Sequence, residues 1–203
     1  MTTALRPRTL RNPAVRPCLT TAPLTGRARL HVLDLDNLHA TTMLDHALIH
    51  RVRDDYRLIG STNSDLVFAA CNHDPTGRNR IQAGLNFHVL EEWMPARVRL
   101  AHGPDGADNA LLHDLEDLAH AENLTGRFED VVIGSGDHAF APVARRLEYD
   151  GLTVHLVVAQ NGDLSQTLRQ NISGCIWLLN EHRCVRHDPC RRAARVRPTR
   201  RPR

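Results

Sequence analysis

Two strand-length apolar runs, Leu30–Leu33 and Val131–Ile133, each lead directly into a short turn that carries an aspartate. The first turn reads Asp34-Leu35-Asp36-Asn37-Leu38, and the second Ser135-Gly136-Asp137-His138-Ala139-Phe140-Ala141-Pro142. Strands that are apolar throughout are buried on both faces, as in a parallel sheet covered by helices. In such a sheet the residues that follow the strands collect beyond one edge, where ligands bind. A third acidic motif, Gly106-Ala107-Asp108, lies between them at the start of a helical pattern. Three carboxylates brought to one edge repel one another unless a divalent cation neutralises them, so the pattern points to a metal-dependent enzyme.

The remaining segments alternate in the same way. Strands are expected at Leu30–Asp34, Leu66–Ala70, about Phe87–Leu90, Arg97–Ala101, Asp130–Gly134, Thr153–Val158 and Cys175–Leu179, the last as a sheet edge. Between them the apolar spacing predicts helices from Thr41 or Thr42 to about Tyr56, from Asp108 to about Glu122, over Phe140–Tyr149 and over Leu164–Gln170. Leu44, Ala47, Leu48 and Val52 form the expected apolar stripe of the first helix, and Leu111, Leu112, Leu115, Leu118 and Ala119 that of the second. Strands alternating with helices at this spacing define an α/β, doubly wound domain.

Charge is segregated along the chain. All 26 basic residues are arginine. Residues 1–29 carry +6 and residues 183–203 carry +8, so within a net charge of +3 the body between them holds −11. We therefore expect a Pro/Arg-rich disordered arm over 1–27, a folded domain over 28–180 and an Arg-rich disordered tail over 181–203. An acidic body repels phosphate, and handling nucleic acid requires bound cations, basic arms or both. Arg191, Arg192, Arg195 and Arg197 are the expected phosphate contacts, without base selectivity. Five scattered cysteines argue against a disulfide framework. The cluster His182, Cys184, His187 and Cys190 has zinc-ligand residue types but not paired zinc spacing. Apolar runs of strand length and the lack of a signal peptide in the N-terminal arm suggest a cytoplasmic protein with no membrane partner.

Each motif has a purely structural reading beside the chemical one. Asp34 and Asn37 also suit a strand-ending turn, and Asp108 also suits a helix cap. Gly136 permits a tight strand-to-helix turn whatever Asp137 does. Asp114, six residues beyond Asp108, reaches the same site only if Asp108 precedes the helix.

Two resemblances bear on the choice. Asp34-x-Asp36-Asn37 resembles the opening of haloacid-dehalogenase-type phosphatases, in which the first Asp is the nucleophile and the second a general acid. That likeness ends with the first motif, because no acid follows Gly136-Asp137 and the chain has no lysine. The second covers about residues 28–160. Asp34-x-x-Asn37-Leu38, Gly106-x-Asp108 with Asp114, and Ser135-Gly136-Asp137-x-x-Phe140-x-Pro142 resemble the NYN branch of the PIN-like nucleases. This resemblance implies a three-layer domain with a mainly parallel sheet and a Mg²⁺- or Mn²⁺-dependent ribonuclease. Asp34, Asp108 and Asp137 would hold the metal, with Asn37 completing the catalytic set. Ser135 would orient the third motif, and Asp114 would be a supporting acid. The chain departs from the family at Ala139, where a further Asp is frequent, and at Asp105, where a basic residue is common. RNA is the implied partner, with DNA as the other candidate, and a homo-oligomer is open. The rival class is a non-catalytic nucleic-acid-binding or regulatory module on the same fold.

Overall fold

The computed structural model describes residues 28–40, 44–60, 63–73 and 87–186. It contains strands β1 (Leu30–Asp34), β2 (Leu66–Asn72), β3 (Arg97–Ala101), β4 (Asp130–Gly134), β5 (Thr153–Val158), β6 (Cys175–Leu178) and β7 (Arg183–Arg186). The α-helices are α1 (Leu35–His39), α2 (His46–Arg57), α3 (residues 87–92), α4 (Gly106–Ala121), α5 (Leu124–Arg127), α6 (Ala141–Asp150) and α7 (Gln166–Arg169). The strands form one seven-stranded sheet in the order β3-β2-β1-β4-β5-β6-β7. All neighbours are parallel except β6 and β7. The chain winds outward from β1 to β3, then crosses back to β4 on the other side of β1. That reversal leaves a crevice at the carboxyl ends of β1 and β4.

Strand alternation divides the core into two layers. Leu30, Val32, Val131, Ile133, Val154 and Leu156 pack with α4, α6 and α7, through residues such as Leu111, Leu115, Ala144 and Leu168. Leu33, Ala69, Val132 and Val157 pack on the opposite face with Leu35, Leu38, Ile49, Val52, Val89 and Trp93. Successive residues of a strand face opposite ways, so an unbroken apolar run is what this α/β/α sandwich requires. The expected three-layer α/β architecture is present.

Several local expectations are corrected. Residues 87–90 are helical, not a strand. Val89 and Trp93 are one helical turn apart and both buried, and Trp93 meets Tyr56 edge-on with ring centroids 5.4 Å apart. A four-residue segment with three apolar residues fits either period, and packing against α2 selects the helix. Helix α2 begins at His46, where the Asp45 side chain accepts the Leu48 N–H at 2.8 Å, while Thr41 and Thr42 lie outside the described residues. Its buried stripe is Ile49, Val52 and Tyr56, and Ala47 is exposed.

β6 is not the edge, because β7 pairs antiparallel with it, Cys175 opposite Arg186 and Leu178 opposite Arg183. The sheet thus takes in residues 183–186, which the sequence placed in a disordered tail. His182, in the left-handed region at φ 45°, turns the chain between them. Cys184 lies in β7, His182 stands 3.6 Å from Asp55, and His187 and Cys190 lie outside the described residues. Among the described residues no helix is long and apolar enough to cross a membrane.

Candidate active site

Asp34 is both the last residue of β1 and the N-cap of α1. Its Oδ1 accepts the Asn37 N–H at 3.2 Å, which sets the first turn of α1 and turns the Asn37 side chain toward β4. There Asn37 Oδ1 accepts the Gly136 N–H at 3.0 Å. Ser135, fully buried, donates its hydroxyl to Asp34 Oδ2 at 3.2 Å and accepts the Asp137 N–H at 3.1 Å. The first and third motifs are thereby joined by two side-chain bonds across about a hundred residues of sequence. Asp137 in turn caps the short 3₁₀ turn His138–Phe140, its Oδ1 accepting the Ala139 N–H at 2.7 Å.

Gly134 and Gly136 make this junction possible. A Cβ on Gly134 would stand 2.8 Å from Leu33 Cδ2, and one on Gly136 would stand 2.1 Å from the Asp163 carbonyl oxygen. The Gly136 contact is backbone against backbone, so no side-chain rotation relieves it. Gly136→Ala is expected to destabilise the fold by about 3 kcal/mol or more in chemical denaturation. A loss below about 0.5 kcal/mol would show that the Asp163 turn yields readily.

Helix α4 contributes Asp108 from its first turn. The helix starts at Gly106, where a Cβ would meet the Asn72 side-chain oxygen at 2.8 Å, so glycine lets the helix end approach β2. Because Asp108 is already helical, Asp114 lies away from the site. It is buried on the β3 side of α4, its Oδ1 2.5 Å from the Arg99 guanidinium. The supporting acid expected at Asp114 is an ion-pair partner of the edge strand.

The cleft at this edge measures about 570 Å³. Six aspartates line it: Asp34, Asp36, Asp105, Asp108, Asp137 and Asp163. Asn37 and Asn72 complete the polar lining, and among the described lining residues no Arg or His occurs. The sequence reading singled out Asp34, Asn37, Asp108 and Asp137, and all four are there. It assigned no site role to Asp105, Asp163 or Asn72, and gave Asp36 one only in the phosphatase likeness. Asp36 Oδ2 accepts the Asn72 N–H at 2.7 Å, which ties α1 to the end of β2. The available signal was the rule already used for Asp34 and Asp137: acids shortly after β3 and β5 reach the same edge. Arg191, Arg192, Arg195 and Arg197 lie outside the described residues.

The electrostatics follow from burial and crowding. Asp34, only 5% exposed, has its pKa pushed up to about 8, first by desolvation and then by the charge of Asp108. Burial likewise raises Asp108 and Asp36. The charge of Asp108 adds to the desolvation of Asp34, and together they favour the protonated carboxyl. Asp108 Oδ1 and Asp163 Oδ2 are buried with no hydrogen-bond partner. Among the described residues no three His, Cys, Asp or Glu side chains already stand at ligating positions around one point. The donors nonetheless fit a hard divalent cation, since they are all oxygen, carry excess negative charge and include two unsatisfied oxygens.

An α/β sandwich with a multi-aspartate cleft at its topological switch point belongs to the class of proteins suited to cation-assisted phosphate chemistry. The NYN domain family matches residues 31–179, and the chain belongs to that family. An NYN domain implies a PIN-like ribonuclease and, in general terms, an RNA substrate; NYN nucleases are typically metal-dependent. No curated protein matches the chain. Among solved structures, a protein of unknown function from Vibrio parahaemolyticus is similar, with TM-score 0.48 and 14% identity over 79% of this chain and 98% of that one.

Proposed function

We propose that this chain is a metal-dependent endoribonuclease whose centre is Asp34, Asp108 and Asp137, supported by Asn37 and Ser135. The observation that carries the reading is the buried Asp34, crowded by Asp108 in an acidic cleft with no basic side chain among its described lining residues. A buried carboxyl that keeps its proton because its neighbours are acidic is poised to exchange it for a cation. Mg²⁺ or Mn²⁺ bound there supplies Lewis-acid stabilisation of the charge that builds on the phosphodiester and eases deprotonation of the attacking water.

The chain's own residues do the positioning. Ser135 and the Asn37 amide hold Asp34 with both oxygens engaged. Asn37 Oδ1 holds the Gly136 amide, so Asp34 and Asp137 keep a set separation. Hydrolysis by a metal-activated water requires none of these side chains as a nucleophile. Among the described residues the lining offers no cation of its own to an incoming phosphate. Binding of nucleic acid therefore falls to bound metal and to the basic arms, where Arg191, Arg192, Arg195 and Arg197 provide sequence-independent contacts.

The test is cleavage of a labelled pool of single-stranded and structured RNA in Mn²⁺, Mg²⁺ or EDTA. The expected result is cleavage in Mn²⁺ and Mg²⁺ and none in EDTA. Salt-sensitive binding with no cleavage in either metal would replace the nuclease with a binding module on the same fold.

A further inference from the structure

We propose that α2 and α3 together form a zinc site from His46, His50, His88 and Glu92. None of the four lines the aspartate cleft, so the inference is independent of the nuclease reading. His46 and His50 are one helical turn apart on α2, and His88 and Glu92 are one turn apart on α3. Residues at that spacing lie on one helix face. The two faces meet in register. The His46 and His88 rings stand 4.0 Å apart between centroids, and His50 Nδ1 is 3.1 Å from Glu92 Oε1. Two rungs thus join the helices and bring together three imidazoles and one carboxylate.

The frame beneath these side chains is packed. Ile49 and Val52 of α2 and Val89 of α3 are buried in one layer of the core, and Tyr56 meets Trp93 beside them. His46 and His50 are exposed and His88 and Glu92 partly so, and all four can turn without unpacking that layer. As they stand, no three of them surround one point, and closing the site calls for side-chain rotation on helices already in register.

The nitrogens are disposed as a metal requires. Tetrahedral zinc holds neighbouring nitrogen and oxygen ligands about 3.3 Å apart, close to the His50–Glu92 separation. His50 Nε2, on the far side of the ring, is 3.3 Å from Asp54 Oδ2, and Asp54 Oδ1 accepts from Arg57 at 3.2 Å. His88 Nδ1 lies 3.9 Å from Glu91 Oε2, which leaves its Nε2 for a metal. A carboxylate beside the far nitrogen orients a metal-bound histidine and raises its basicity. Ion pairing alone accounts for His50 between Asp54 and Glu92. It gives no reason for His46 to face His88, since two imidazoles form no ion pair. Three imidazoles with one carboxylate suit Zn²⁺, whereas the all-oxygen cleft suits Mg²⁺ or Mn²⁺. Zinc held here clips α3 to α2.

The experiment uses the full chain, free of any affinity tag and stripped of metal, beside His46→Gln/His88→Gln and Asp54→Asn. Zn²⁺ binding is followed by competition with a chromogenic chelator, geometry by the visible spectrum with Co²⁺, and stability by melts with and without Zn²⁺. The double variant is expected to hold one Zn²⁺ equivalent about a hundred-fold or more weakly than the parent. It should also lose tetrahedral Co²⁺ bands that carry no thiolate charge transfer, together with the Zn²⁺-induced rise in melting temperature. Asp54→Asn, which alters only the partner of His50, should weaken binding about ten-fold. Unchanged Zn²⁺ stoichiometry and affinity in the double variant overturns the proposal and places the ion elsewhere. A parent protein that binds no Zn²⁺ overturns it too. Should the double variant fail to fold, His50→Gln, at an exposed position, is judged by the same outcomes. The cleft is read separately, by RNA cleavage in its own variants.

Discussion

Asp137→Asn and Asp34→Asn are each expected to reduce metal-dependent RNA cleavage by about a hundred- to a thousand-fold or more while the protein remains folded. The size of the effect comes from charge and not from shape. Asparagine is nearly isosteric, and at 137 its carbonyl still accepts the Ala139 N–H that caps the turn. At 34 the change removes one acceptor, because Asp34 receives bonds from both the Ser135 hydroxyl and the Asn37 amide. That loss, about 1 kcal/mol, is opposed by relief of the crowding that lifts the Asp34 pKa. Single-turnover cleavage in Mn²⁺, with a circular-dichroism melt of each variant, separates the two contributions. Undiminished cleavage by either variant would remove that residue from the centre. Unfolding of either would make its role structural.

Divalent cation is expected to stabilise the protein strongly at pH 8 and weakly at pH 5.5. The sign follows from Asp34. Its folded pKa, about 8, lies above the ordinary carboxylate value, so the folded state holds a proton that the unfolded chain has released. Stability of the metal-free protein therefore falls as pH rises from about 4 to about 8. A cation competes with that proton, so its binding strengthens over the same interval. With metal at a hundred times its dissociation constant at pH 8, the gain is about 2.7 kcal/mol, or roughly 5–10 °C in melting temperature for a chain of this length. Melts in Mn²⁺ and in EDTA at the two pH values measure the difference directly. An increase of equal size at both would place the cation away from Asp34.

Much of the fold was legible because burial on both faces of a strand demands an unbroken apolar run. The expected strands at Leu30–Asp34, Asp130–Gly134 and Thr153–Val158 have the observed bounds. Residues 87–90 were misread because a segment of four residues carries no usable period, and the helix is seen through Val89 and Trp93 packing together, with Trp93 against Tyr56. β7 was missed because an Arg-rich segment at a sheet edge resembles a solvated tail. Charged edge strands are how sheets avoid pairing with other chains.

The candidate site divides in the same way. Asp34, Asp108 and Asp137 were visible because each stands in a motif of a few residues whose local geometry can be anticipated. Asp114 was assigned by its spacing from Asp108, and the helix phase instead turns it to Arg99. Asp36, Asp105 and Asp163 join the cleft through long-range contacts: the Asp36–Asn72 bond, the approach of Gly106 to Asn72, and the packing of Gly136 on Asp163.

By itself, then, the sequence determined a helix-covered parallel sheet and an acidic carboxyl edge. Both follow from local pattern, since strand burial and the residue after a strand are properties of a few neighbours. Tertiary structure alone decided which of the described acidic residues share one cleft and which oxygens there lack a partner. Those outcomes depend on strand order and on backbone contacts between segments far apart in the chain, which no short-range pattern encodes.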